Sequence, residues 1–183
     1  VSTTPQSARS EVLTPAPAMK VLFSLVAVFF CGGLLQNLPR ILHGDLEWTL
    51  VWKIGFPILV IAALASVVGA VAAFTNKVWI DYDRNEIHQY VVLRDVAISL
   101  DEPTTVELGY TRQAVGSTVS GTWRVVVRQP GRTAMGVSTP WVRDIADVLR
   151  ILQPALARNP RLAADEHTRA AIEDPGNLTP PPR

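Results

Sequence analysis

The sequence has a single cysteine, Cys31, set inside an apolar run. A disulfide framework is thereby excluded, and so is a thiolate metal cluster. Histidine is scarce too. His43, His88 and His167 stand in three different regions, none at ligand spacing from another, and His88 reads as a solvated or hydrogen-bonded strand side chain rather than a base. No Gly-x-Ser-x-Gly elbow is present to expose a nucleophilic serine, and no glycine-rich phosphate loop precedes a helix. Gly116-Ser117-Thr118-Val119-Ser120-Gly121 reads instead as a flexible loop between strands. Excess charge is missing as well. The formal net charge is +1, and residues 75–183 carry equal numbers of basic and acidic side chains, so no polycationic surface for nucleic acid follows. Asp81 with Asp83, and Asp101 with Glu102, are the conceivable carboxylate pairs. Each falls at a turn, where solvated acids are commonplace. No catalytic residue, cofactor or metal is expected, and the chain reads as non-enzymatic.

What the sequence does have is apolar length. VLFSLVAVFFCGGLLQNL (Val21–Leu38) is flanked by Lys20 and by Pro39-Arg40. At ~1.5 Å per residue it comes close to the ~30 Å hydrocarbon thickness. IGFPILVIAALASVVGAVAAF (Ile54–Phe74) contains no charge, and Trp48, Trp52 and Lys53 ahead of it resemble a headgroup-level belt. Pro57 is placed in its first turn, where a missing N–H costs least. Both segments are expected to cross a membrane. A cleaved signal peptide is the competing account of the first, since Lys20 followed by an apolar stretch has the required form. Against it, no small-x-small site precedes the turn, and Phe29-Phe30 before Cys31 fits a lipoprotein cleavage box poorly.

Small residues recur at every fourth position of the second segment: Ala62, Ser66 and Ala70 on one stripe, Ala65, Gly69 and Ala73 on the next. Ser24, Ala27, Cys31 and Gly32 answer them in the first. Lipid offers no hydrophobic drive between helices, so close approach through small side chains favours association. The stripes predict a hairpin packed on itself, with the sharper alternative that one stripe is left for a partner's helix. Arg9, Lys20, Lys77, Arg84 and Arg94 lie on the side of the termini, against Arg40 and Lys53 in the connection, where Asp45 and Glu47 also sit. The bias predicts a multi-pass protein of the cell (inner) membrane with both termini cytoplasmic.

Residues 1–19, rich in Pro, Ser and Thr, read as a disordered tail, and residues 159–183 as a flexible one. A helical turn around Leu162–Ile172 is conceivable without packed structure. Residues 20–75 form the anchor, and 76–158 the folded domain. There the period becomes two. Val78, Ile80 and Tyr82 alternate with Trp79 and Asp81, then Asp83-Arg84-Asn85-Glu86 turns into Ile87–Leu93. Further strands are expected at Val96–Leu100, Thr104–Arg112, Thr118–Arg128 and Thr133–Val137, the last after a Gln129-Pro130-Gly131-Arg132 turn. The hydrocarbon asks for uniform apolarity, whereas a sheet with water on one face asks for alternation.

The period then changes to that of a helix. Ser138 or Thr139 is the expected cap, Pro140 the first helical residue, and Trp141, Ile145, Val148, Leu149 and Leu152 the apolar stripe. Pro154 is expected to kink or end the regular part, with helical chain continuing as far as Ala157. Arg112, Arg124, Arg128 and Arg132 are the most prominent polar set. Arg124 and Arg128 fall on one strand face and Arg132 just past the turn, so a basic strip could meet anionic headgroups or an acidic partner. The plainer reading is a charged solvent face paired with Glu107 and nearby acids.

Two membrane segments, a run of antiparallel strands and one closing amphipathic helix resemble the bacterial pleckstrin-homology-like membrane proteins found widely in actinobacteria. Trp79-Ile80-Asp81-Tyr82, Leu93-Arg94-Asp95-Val96-Ala97-Ile98-Ser99-Leu100 leading to Val106, and Trp123-Arg124-Val125-Val126-Val127 carry the resemblance, over about residues 20–158. It implies an α+β domain, a sheet or partly open barrel closed by a C-terminal helix, tethered to the bilayer as a scaffold or interaction module, usually without known catalysis. The missing chemical constellation, the small-residue helix stripes and the Trp/Val-rich sheet with its covering helix point to an accessory subunit docked to another integral membrane protein, with an anionic-lipid-sensing domain read from the arginine strip as the alternative. Lys77 and Arg84 match basic positions of lipid-binding relatives, but no basic-x-Arg pair follows, and six strands are counted where the family has seven.

Overall fold

A computed structural model describes residues 10–43, 50–115, 118–139 and 141–180 of the 183. Arg9, Asp45, Glu47, Trp48, Pro140, Gly116 and Ser117, each given a role above, lie outside the described residues. The chain divides into two units: Pro17–Thr75, and residues 76–180 together with 10–16.

The first unit is a pair of long helices, α1 (Pro17–Leu42) and α2 (Leu50–Thr75). Both extend beyond the apolar runs that announce them, because the flanking residues are themselves compatible with helix. α1 starts on a proline, favoured in the first turn where no N–H is needed. α2 starts at Leu50, so Pro57 stands two turns inside the helix rather than in its first turn, and the Lys53 carbonyl lacks its usual i+4 donor. A Cβ added to Gly69 would meet the Phe23 ring at 2.7 Å, so the missing side chain is what lets an α1 aromatic seat against α2.

The second unit holds two three-stranded antiparallel sheets. One has β1 (Lys77–Asp81), β2 (Glu86–Val91) and β3 (Arg94–Ser99) in that order; the other has β4 (Thr105–Val115), β5 (Thr118–Arg128) and β6 (Met135–Ser138). The alternation read from the sequence is what the sheets bury. Val78, Ile80, Ile87 and Ile98 from the first, and Val106, Val125, Val127 and Val137 from the second, are all almost wholly inaccessible. Asp81 closes the β1–β2 turn by accepting the N–H groups of Asp83 and Arg84, with Asn85 at φ 52°. The described strands form no closed barrel.

α3 (Ile145–Arg158) covers the core with Ile145, Val148, Leu149, Ile151, Leu152, Ala155 and Leu156. Its cap is Asp144, whose carboxylate accepts the Ala146 N–H at 2.9 Å, and not Ser138 or Thr139. Those two residues are engaged elsewhere: Ser138 is the last residue of β6, and the Thr139 N–H donates to the Trp123 carbonyl. Trp141 consequently lies outside the helix, half-buried. Pro154 does not end α3, which runs on past Ala157 by one residue.

Two expectations about the termini are corrected. Ser10–Leu13 is not a loose tail but pairs with the free edge of β1: Ser10 N–H donates to Ile80 O, Leu13 and Val78 exchange N–H···O bonds, and the Ser10 hydroxyl accepts the Ile80 N–H at 2.7 Å. At the other end, a second helix α4 (Glu166–Glu173) packs beside α3, burying Thr168, Ala171 and Ile172, while Leu162 is fully buried ahead of it. Residues 162–164 run along the free edge of β4, where Val106 N–H donates to Leu162 O and Ala164 N–H to Val106 O. Apolar content alone underestimates these segments. An exposed strand edge offers unmet backbone donors and acceptors, and a few residues that satisfy them gain hydrogen bonds as well as burial.

Candidate functional site

The four arginines of the basic strip divide between two faces. In the β4–β5 register Arg124 lies opposite Gly109 and Arg128 opposite Thr105, on the outward face. Arg112 alternates in phase with Val106, Leu108 and Tyr110 and therefore belongs to the other face, where its guanidinium lies 5.9 Å from the Tyr110 ring. Arg128 pairs with Glu107 at 3.2 Å, both side chains being largely exposed, and Arg132 donates to the Ala97 carbonyl at 3.2 Å. Arg124 reaches over β6: a Cβ on Gly136 would meet its guanidinium at 2.7 Å. The structure thus brings Arg124 and Arg128 onto one surface and sets Arg112 apart.

The small residues of α2 are graded in exposure. Ser66 and Ala73 are buried, as is Ala63, which falls on neither predicted stripe; Ala62, Gly69 and Ala70 are half-buried and Ala65 is exposed. Ser66 turns its hydroxyl back to the Ala63 carbonyl at 2.8 Å, so its polar atom is satisfied within its own helix.

Of the histidines, only His88 is built into the fold. It stacks on Trp79 with ring centroids 5.0 Å apart, directly across the β1–β2 register, and stands 3.6 Å from Glu86 and 3.5 Å from Asp95. His43 hydrogen-bonds the Pro39 carbonyl, and His167 stacks at 6.4 Å on Trp123, itself 4.6 Å from Tyr110. Among the described residues no group of three or more His, Cys, Asp or Glu could hold a metal ion. The conceivable carboxylate pairs have structural duties: Asp81 closes its turn, and Asp101 accepts from Asn85 Nδ2 at 2.7 Å and from Ser99 Oγ at 3.0 Å. A cavity of about 360 Å³ lies between α3 and α4, but its polar lining is already engaged, with Gln153 donating to Glu173 O and Arg169 to Pro160 O.

One feature of this unit carries no sequence signal. Val91 pairs with Arg94, so the β2–β3 connection is a two-residue loop, Val92-Leu93, with φ of 45° and 66°. Both residues occupy the left-handed region of a type I′ turn, where Asn-Gly is the favoured pair. Leu93, expected as the end of a strand, is 78% exposed, and Val92 is exposed beside it.

Comparison of the chain with protein-family models, with curated proteins and with solved structures finds no match.

Proposed function

We propose that this chain is a membrane-anchored, non-enzymatic interaction module, whose two helices cross the cell membrane as a hairpin and whose β-rich unit engages another integral membrane protein. The observation that carries the reading is the exposure of α1 and α2. No residue of α1 is buried, with Phe29 at 75% and Val28 at 70%, and on α2 Ile58, Ile61 and Leu64 are similarly open. Both helices are long and apolar enough to span a bilayer. Water tolerates contiguous apolar patches of only a few hundred Å² on a monomer, whereas hydrocarbon accepts such a surface at no cost.

Further support comes from the order of elements. Two antiparallel sheets followed by a core-covering helix accord with a pleckstrin-homology-like domain, and the Ser10–Leu13 pairing adds one more strand-like segment to the first sheet. Partner docking accords with the small residues that stay outside the hairpin seam, Ala65 on α2 and Gly32 on α1, where another helix can approach closely. The excess of Lys and Arg that the sequence places next to the terminal ends of the two helices supports cytoplasmic termini.

Extraction of native membranes in a gentle detergent, followed by size separation and identification of what co-purifies, tests the function. A stoichiometric membrane-protein partner is expected. Migration as a lone monomer, under conditions that keep other complexes intact, refutes the docking reading, and release by an alkaline carbonate wash refutes the anchor.

A further inference from the structure

We propose that the Val92-Leu93 tip of the β2–β3 hairpin is a lipid contact, seated in the headgroup region of the same bilayer that α1 and α2 cross. This rests on the anchoring reading above and adds a second, peripheral point of attachment to it.

Three independent observations meet at the tip. The first is chemical: it presents two adjacent exposed apolar side chains, and it is flanked by exposed Lys77, across from Tyr90, and exposed Arg94. Asp95, the acid nearest in sequence, stands 3.5 Å from His88 with its side chain half exposed. An apolar point ringed by cations and a half-buried tyrosine is the composition suited to an anionic headgroup layer over acyl chains.

The second is conformational. A β-branched valine and a leucine occupy two successive left-handed positions, which L side chains with a Cβ adopt at a steric cost that asparagine and glycine largely avoid. A turn selected only to close a hairpin would not combine strained backbone with solvent-exposed apolar side chains. Strain kept at such a place points to a task for the side chains.

The third is topological. β1 begins at Lys77, two residues after α2 ends at Thr75, so that link spans at most ~7 Å. Ser10–Leu13 runs antiparallel to β1 and leaves the sheet at the same end, four residues before α1 begins at Pro17. β2 runs toward this end too, since Tyr90 pairs with Lys77, and the tip lies just beyond it. Both connections to the apolar helices and the exposed tip therefore share one end of a sheet whose strands are ~4.8 Å apart. The β1–β2 turn, with Arg84, is at the opposite end.

The experiment uses the full chain in a Cys31→Ser background, reconstituted without any other protein into vesicles of phosphatidylethanolamine and phosphatidylglycerol. Single nitroxide labels are placed at Leu93→Cys, Val92→Cys, Arg84→Cys and, as an internal standard for the anchor, Leu64→Cys. Collision with oxygen, which concentrates in lipid, is compared with collision with a water-soluble nickel chelate. Labels at 64, 92 and 93 are expected to favour oxygen, and the label at 84 to favour nickel severalfold. If 64 favours oxygen while 92 and 93 are as wet as 84, the tip proposal is overturned and the anchor stands. Labels at 92 and 93 that are immobilised yet nickel-accessible indicate a protein contact and equally overturn it. A wet label at 64 removes the anchor, and the tip proposal falls with it.

Discussion

Replacing Thr168 by valine probes whether the C-terminal segment is an integral part of the fold. Thr168 is wholly buried, and its hydroxyl accepts the N–H of Leu108 at 3.0 Å on the edge of β4 that faces away from β5. Valine has nearly the same shape, so packing is conserved while the acceptor is lost. An interior N–H left without a partner costs about 1–3 kcal/mol. At about 1.4 kcal/mol per decade, that corresponds to a roughly 5- to 150-fold rise in local opening. Residue-resolved amide exchange on the full chain in lipid nanodiscs is the assay. Leu108 is expected to exchange faster by that factor, together with Val106, whose N–H donates to Leu162 O in the same segment. Amides of β2 and β3, in the other sheet, should be much less affected. Thr168→Ser keeps the acceptor and should leave Leu108 protection within a few fold. Unchanged protection of Leu108 in the valine variant refutes the assignment of this edge contact. A uniform loss across both sheets refutes its locality.

Other perturbations address separate parts of the structure. Val92→Asn with Leu93→Gly supplies the pair that a type I′ turn prefers, and should strengthen β2–β3 pairing by about 1 kcal/mol or more while abolishing any lipid signature of the tip; slower exchange of Val91 and Arg94 amides is the readout. Ser10→Ala removes the acceptor of the Ile80 N–H, so Ile80 should lose about 1–3 kcal/mol of local protection and the chain at residues 10–13 should become readily cleaved by protease. Tyr82 donates its hydroxyl to Ile151 O at 3.2 Å, and burial raises its phenol above the usual 10.0. Because the folded value is the higher one, its contribution is complete below about pH 10 and is lost as pH rises through the folded value. Tyr82→Phe should lower stability at neutral pH by about 0.5–1.5 kcal/mol and flatten the alkaline limb of denaturant midpoint against pH; an unchanged limb contradicts the assignment.

Periodicity and uniform apolarity by themselves determined most of the architecture. Each depends on the solvent a residue meets, and that preference is written in its own side chain. Val21–Leu38 and Ile54–Phe74 therefore announce α1 and α2. The alternation from Val78 announces β1, and Ile145, Val148, Leu149 and Leu152 announce the buried face of α3. The same local logic placed Arg124 and Arg128 on one face, but the phase of Arg112 became evident only from the register that sets Tyr110 opposite Trp123. Backbone pairing over long separations was decided by the tertiary structure alone. Ser10 meets Ile80, Thr168 meets Leu108, and Asp144 rather than Ser138 caps α3 because β6 holds Ser138 in its ladder. Such contacts join backbone donors and acceptors that nearly every residue carries alike, so composition gives no sign of which segment will cover which edge. The Val92-Leu93 turn belongs with them. Its φ values are imposed by the β2–β3 register, against the preference of the two residues that fill it.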